Sequence, residues 1–196
     1  MRRAGLLHIT DCPLERFNSL RRRGQLPFFD DSKGEERSDQ LSKWQDFSLE
    51  DAFNLRLLMD LMDAEGVAHS EADYVVGNAL RNLSMHPLNY PSSHGEMWVA
   101  GGVLTDPGGS SEKGFWRFHI AGRFGDLPGL AEGQMAGFPD SQLVRLTSVN
   151  ASRAADFVRD KARELGLPEG DDYSQVWESA RWPHWVELAD NSEAEE

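Results

Sequence analysis

The sequence predicts a mainly α-helical N-terminal part followed by an α+β C-terminal domain with a small antiparallel sheet. Up to about residue 84 the apolar residues recur with the spacing of helices, and from residue 96 onward they alternate as in strands. Between these parts, the segment HPLNYPSSHG contains two prolines and two serines, a composition typical of a linker. The 196 residues are 39% hydrophobic, which is sufficient for packed cores.

Two short helices and a hairpin are expected first. Residues 4–11 are apolar and weakly helical. In PLERFNSLRRRG three apolar side chains share one face, which predicts a helix over 13–23 that ends in a left-handed turn at Gly24. Asp11 is the candidate N-terminal cap of this helix. The segment 27–47 has two apolar or aromatic patches around a polar, glycine-containing tract, which predicts a hairpin with a long, mobile tip.

Two longer helices follow. The stretch SLEDAFNLRLLMDLMDAEG begins with Ser48 as a cap and Asp51 three residues later, an acidic variant of the capping box, and it ends at Gly66. Ser70 is the expected start of the next helix, whose apolar side runs to Leu83. These elements complete a predicted domain over residues 1–84, and the linker is predicted over 85–95.

The C-terminal domain is predicted over residues 96–189. EMWVAGGVL and GFWRFHIAG alternate as strands, and the turn-rich DPGGSSEKG between them indicates a hairpin. SQLVRLTSV is a third strand, and SRAADFVRDKARELG is a helix that Asn150 or Ser152 caps and Gly166 ends. Another helical turn or two is expected after residue 170, and residues 190–196 form an acidic tail that stays solvated.

Charge is distributed unevenly along the chain, whose formal net charge is −13. Residues 1–27 hold six arginines against two acids, whereas residues 168–196 hold nine acids and one arginine. Salt screens distant charges beyond about 8–10 Å, so a local basic face remains compatible with the acidic total. The sequence has no apolar run of 18 residues and a single cysteine, Cys12, which together predict a soluble, cytoplasmic protein without a membrane span.

Signals of catalysis are weak. The six histidines are scattered without the spacing of a helical metal site, and VAGGVL lacks the pattern of a phosphate-binding loop. No enzyme activity, catalytic residue, metal or cofactor is therefore predicted. His119 shares one strand face with Arg117, where it could line a pocket, although a surface histidine is the favoured interpretation. Cys12 could have a lowered pKa at a helix start, but a role as a small core residue is favoured.

The order of these elements resembles the winged helix-turn-helix of MerR-type transcription regulators. RRRGQLP and WQDFSLEDAFNL carry the resemblance, which covers about residues 4–83. It implies that the helix 13–23 enters the major groove and that 27–47 forms the wing. The usual glycine of the family's turn is Asp11 in this chain, and the long helix through which such regulators dimerise is not visible.

The function expected from the basic helix and this resemblance is that of a sequence-specific, double-stranded DNA-binding transcription regulator of a bacterium or phage. It would bind an operator as a homodimer, at the nucleoid, through the helix 13–23 and the wing 27–47. Arg16 and Arg22 suit guanine or phosphate, Asn18 suits adenine, and Ser19 suits either base. The predicted DNA-contacting side chains are Arg2, Arg3, Arg16, Asn18, Ser19, Arg21, Arg22, Arg23, Lys33, Arg37 and Lys43.

An alternative remains open. Arginines at a helix end can simply complement the helix dipole. The protein would then be an interaction adaptor with a repurposed winged helix, and its acidic C-terminal domain would bind a partner protein without any contact to DNA. The C-terminal domain could equally mediate dimerisation or contact a ligand.

Overall fold

The computed structural model describes residues 1–28, 47–64, 66–79, 87–89, 95–109, 114–138 and 140–167. Over these residues the chain forms a mixed α/β structure with six α-helices, two short 3-10 helices and three strands. The elements are α1 (Arg3–Thr10), α2 (Leu14–Arg22), α3 (Leu49–Ala64), α4 (His69–Ala79), a 3-10 turn (Pro87–Asn89), β1 (Trp98–Thr105), β2 (Phe115–Gly122), a 3-10 turn (Phe124–Asp126), α5 (Leu127–Met135), β3 (Leu143–Asn150) and α6 (Ala151–Glu164).

Local signals predicted most helix ends correctly. The Ser48 amide donates to Asp51 Oδ2 at 2.8 Å, and the Asp51 amide donates to Ser48 Oγ at 3.0 Å, so the capping box at the start of α3 is confirmed. Asn150 Oδ1 accepts from the Arg153 amide at 2.9 Å and caps α6. Glycines with φ between 62° and 65° follow α2, α3 and α6, as expected for left-handed helix stops; they are Gly24, Gly66 and Gly166.

Two expectations about helix ends need correction. Asp11 does not cap α2; it follows α1 with φ 52°, and its amide donates to carbonyls of the last turn of α1. No side chain caps α2, which begins after Pro13. Ser70 lies inside α4, because that helix already begins at His69. The helix α5 was not predicted, because two glycines and a proline within LPGLAEGQM weaken its helical signal.

The three strands form one antiparallel sheet in the order β2-β1-β3. The predicted hairpin of β1 and β2 is confirmed, with Trp98 opposite Gly122 and Thr105 opposite Phe115. Helix α4 covers one face of the sheet, and α5 covers the other face with Leu127 and Ala131. On the face of β2 turned toward α4 lie Arg117, His119 and Ala121. They alternate with the residues that face α5.

The main core crosses the predicted domain boundary. One buried cluster joins residues of α1, α3 and α4 to residues of β1, β3 and α6. Within the predicted linker, Leu88 is 3% exposed, and its carbonyl accepts from Arg159 Nη1 of α6 at 2.9 Å. Residues 85–95 therefore do not separate two independently packed cores in the part of the chain that is described.

The described residues do not include several predicted segments. Most of the wing (29–46), the connection 80–86 and everything after residue 167 lie outside them, including the expected late helical turns and the acidic tail. Among the helices that are described, none combines the length and apolar character that a membrane crossing requires.

Candidate functional site

Helix α2 has one buried face and one basic face. Phe17 and Leu20 are 1% and 5% exposed, so they fix the helix against the main core. On the outer side Arg22 is exposed, and its Nε donates to the Asn18 carbonyl at 3.3 Å. Arg23 follows α2 and is also exposed. The carboxyl end of α2 therefore presents two adjacent guanidinium groups to solvent.

The two ends of the predicted wing meet beside this helix. The rings of Phe28 and Phe47 contact each other edge to face, with centroids 5.5 Å apart. Phe47 also contacts Phe17 of α2, at 6.3 Å between centroids. The Phe47 amide donates to the Met1 carbonyl at 2.7 Å, which ties the returning chain to the start of the protein. Phe28 and Phe47, the described residues on either side of segment 29–46, thus lie together next to α2.

The other predicted DNA-contacting residues differ in exposure. Arg2 and Arg3 lie exposed at the start of α1, whereas Asn18, Ser19 and Arg21 are half-buried. Both Arg2 and Arg21 make further contacts within the molecule. The wing residues Lys33, Arg37 and Lys43 fall outside the described residues. The exposed arginines at the two helix termini are therefore the part of the predicted set that the structure brings to the surface.

Arg16 was expected to contact guanine or phosphate, but its side chain is bound within the protein. Its Nη1 donates to Asp63 Oδ2 at 2.5 Å, and this ion pair joins α2 to the last turn of α3. The hydrogen bond to Asp63 raises the pKa of Arg16 further above its ordinary range. The guanidinium is satisfied by the protein's own carboxylate, so Arg16 positions α2 and is not a free DNA contact.

The turn after α2 is held by a residue that the sequence did not single out. The Gln25 carbonyl accepts from His69 Nε2 at 2.7 Å, and Leu26 beside it is 3% exposed. His69 is the first residue of α4, so this bond fixes the end of the basic helix to α4. No local pattern in the sequence signals such a contact, because the two residues are 44 positions apart.

A cleft of about 480 Å³ lies along β2 between α4 and α5. His119 lines it together with Arg117 and Tyr74, which corrects the interpretation of His119 as a surface strand residue. His119 Nδ1 lies 3.3 Å from Tyr74 Oη, and Tyr74 Oη donates to the Arg117 carbonyl at 3.4 Å. Burial lowers the pKa of His119 below its ordinary value of 6.5, which favours the neutral ring.

Other reactive groups do not form a site in the described part of the chain. Cys12 is 4% exposed, and burial raises the pKa of its thiol, which agrees with a small core residue. No set of three or more His, Cys, Asp and Glu side chains in the described ranges is arranged to hold a metal ion.

Comparison of the chain with family models, curated proteins and solved structures gives no match.

Proposed function

We propose that the protein is a sequence-specific, double-stranded DNA-binding transcription regulator of the MerR-like winged helix-turn-helix type. In this proposal α2 enters the major groove and the wing segment (residues 27–47) lies beside it. The observation that carries the proposal is the surface around α2. Arg22 and Arg23 are exposed at its carboxyl end, and Phe28 and Phe47 hold the two ends of the wing segment together next to it.

The geometry of the first two helices supports this arrangement. A helix about 10–12 Å wide matches the B-DNA major groove, which is about 12 Å wide. The turn between α1 and α2 adopts a left-handed conformation at Asp11, the position at which the MerR pattern has glycine. Glycine enters the left-handed region most readily, and aspartate is among the residues that tolerate it.

Exposure and side-chain chemistry together assign the roles within this interface. The exposed Arg22, Arg23, Arg2 and Arg3 neutralise phosphates, and the half-buried Asn18 and Ser19 contact base edges. With about four to six phosphate contacts, the binding constant should fall with salt with a logarithmic slope of about −4 to −5. One copy offers few base contacts, so a homodimer on a two-fold related operator supplies the specificity. The protein then acts at the nucleoid.

The test is a fluorescence polarisation titration with a random duplex at low salt, followed by the operator selected from a random library. We expect Arg22→Gln with Arg23→Gln to weaken binding at least about tenfold and to reduce the salt slope by about 2, because two phosphate contacts are lost. The unfolding temperature should change little, since both side chains are exposed.

A matched control is Arg153→Gln with Arg163→Gln, which removes the same charge from exposed positions of α6. Binding by this control should stay close to that of the parent protein. The proposal is wrong if the parent protein does not bind duplex DNA below about 10 μM, a limit that lies within the usual range of even non-specific binding, roughly 10⁻⁴–10⁻⁶ M. It is also wrong if both double variants lose affinity equally.

The adaptor alternative is favoured by apolar side chains on the sheet half of the molecule. Phe124 is 61% exposed, Val144 is 63% exposed, and Leu143 beside it is 40% exposed. Such groups are suited to contact a partner protein. In that case Arg22 and Arg23 have no DNA-binding role, and the polarisation titration gives no signal with any duplex.

A further inference from the structure

We propose that the cleft between α4, β2 and α5 binds a small aromatic carboxylate. This ligand site is separate from the α2 surface, and the proposal does not depend on DNA binding. The cleft volume of about 480 Å³ lies within the range of roughly 300–1,000 Å³ that is usual for small-molecule sites.

The position of the cleft follows from the sheet order. Among the described strands β2 lies at an edge, because β1 occupies the centre and β3 the other side. Helix α4 contributes Tyr74 from one face of the sheet, and α5 contributes Leu130 and Gln134 from the other face. The cleft therefore lies along the edge of β2, where helices on opposite faces both reach it.

The charge of the lining selects an anion. Among the described residues that line the cleft, Arg117 is the one that carries a full charge at neutral pH, and none of them is a carboxylate. The Arg117 guanidinium lies 5.4 Å from the centroid of the Phe115 ring, and its Nε is buried without a hydrogen-bond partner among the described residues. A planar carboxylate matches the geometry of a guanidinium and can pair with its terminal nitrogens. The lining thus favours a ligand with a single negative charge.

Tyr74 and His119 supply neutral hydrogen-bonding groups beside this charge. Tyr74 Oη lies between the Arg117 carbonyl, at 3.4 Å, and His119 Nδ1, at 3.3 Å. Their rings also contact each other edge to face, with centroids 5.5 Å apart. These contacts fix the orientation of the imidazole, which orients a bound group without adding a second charge.

The apolar residues that line the rest of the cleft favour a ligand with a planar aromatic ring. Ile120, Leu130 and Phe138 line the cleft, and Leu130 is 39% exposed. A planar ring packs well against aromatic and aliphatic side chains and removes such exposed surface from water. An aromatic carboxylate satisfies both the apolar walls and the Arg117 guanidinium.

Isothermal titration calorimetry with the full chain tests this inference with two probes, naphthoate and its neutral counterpart naphthalenemethanol. We expect naphthoate to bind at least about tenfold more tightly, because the alcohol cannot pair with Arg117. Arg117→Gln should remove this preference.

A second variant, Gln134→Glu, should weaken the binding of naphthoate alone, since it adds a negative charge at an exposed position of the cleft. Arg153→Gln, in the first turn of α6 and not among the lining residues, should leave both affinities unchanged.

The unfolding temperature of each variant shows whether it is folded. If Arg117→Gln does not fold, Gln134→Glu gives the same test, because it is nearly isosteric and its site is exposed. The inference is overturned if naphthoate shows no binding up to about 1 mM, a limit of very weak affinity. Equal affinity for the two probes also overturns it. DNA binding is measured separately, so failure of either proposal leaves the other intact.

Discussion

Arg16 and Arg22 lie on one helix, yet their surroundings give them different roles. Arg16 is 27% exposed and paired with Asp63, whereas Arg22 is exposed and contacts only the Asn18 carbonyl of its own helix among the described residues. The pattern PLERFNSLRRRG gives no sign of this difference. A partially exposed ion pair contributes at most about 1 kcal/mol to stability, so the main effect of Asp63 is to determine where the Arg16 guanidinium lies.

At the same scale, His119 gives a prediction about pH. The pKa of His119 is lowered by burial, so the unfolded chain takes up a proton near pH 6.5 that the folded chain takes up only at lower pH. The free energy of unfolding should therefore decrease as the pH falls through 6.5, and Tyr74 and Arg117, which face the ring, offer it no compensating negative charge.

Urea unfolding of the parent protein and of His119→Gln between pH about 7.5 and about 5.5 measures this effect. The substitution should remove part of the decrease, since glutamine does not titrate. The same pH dependence in both proteins would show that the imidazole takes up its proton equally well in the folded and unfolded chains.

At the scale of elements, the start of α3 depends on two reciprocal hydrogen bonds between Ser48 and Asp51. Ser48→Ala should lower the free energy of unfolding by about 1 kcal/mol, because one amide of the first helical turn loses its partner. Ser70→Ala is the matched control, since Ser70 is exposed within α4 and does not precede it. Chemical denaturation should show almost no change for this control, and an equal loss in both variants would contradict the role of the capping box.

The glycines of VAGGVL also receive an explanation at this scale. A Cβ on Gly101 would lie 2.4 Å from Val75 Cγ2 of α4, and a Cβ on Gly102 would lie 2.0 Å from the Phe118 ring. Close packing accounts for both glycines without a phosphate-binding role. The glycines instead let α4 approach one face of β1 while the Phe118 ring covers the other face.

At the scale of the whole molecule, the N-terminal helices depend on α6. Arg56 of α3 donates to the Thr10 carbonyl at the end of α1, at 3.4 Å, and its guanidinium lies 4.4 Å from the ring centroid of Phe157 on α6. Val158 of α6 is fully buried within the same cluster as the residues of α1 and α3. The predicted DNA-binding half therefore completes its core with the C-terminal half.

A fragment of residues 1–84 tests this dependence. We expect it to lack a cooperative thermal transition, because its apolar faces on α1 and α3 lose the cover of α6. Residues 1–167, which retain α6, should unfold in a single transition. Circular dichroism melts and amide NMR dispersion give the comparison. A cooperative melt and dispersed amide signals from the short fragment would instead support an independent domain ending at residue 84.

Much of the secondary structure could be predicted because its signals are local. Ser48 with Asp51, Asn150, and the glycines that follow α2, α3 and α6 act within a few residues of the ends they determine. Helix α5 escaped prediction because its sequence favours helix weakly and packing of Leu127 and Ala131 on the sheet stabilises it instead. The wing itself stays a prediction, although the contact of Phe28 with Phe47 agrees with it.

The sequence by itself determined where α3, α6 and the three strands lie, and it singled out the basic end of α2. Only the tertiary structure decided which side chains meet. Asp63 neutralises Arg16 across 47 positions, His69 holds Gln25 across 44, and Tyr74 meets His119 across 45. Caps, turns and alternation arise from neighbouring residues, whereas ion pairs, clefts and a shared core require distant segments to pack together.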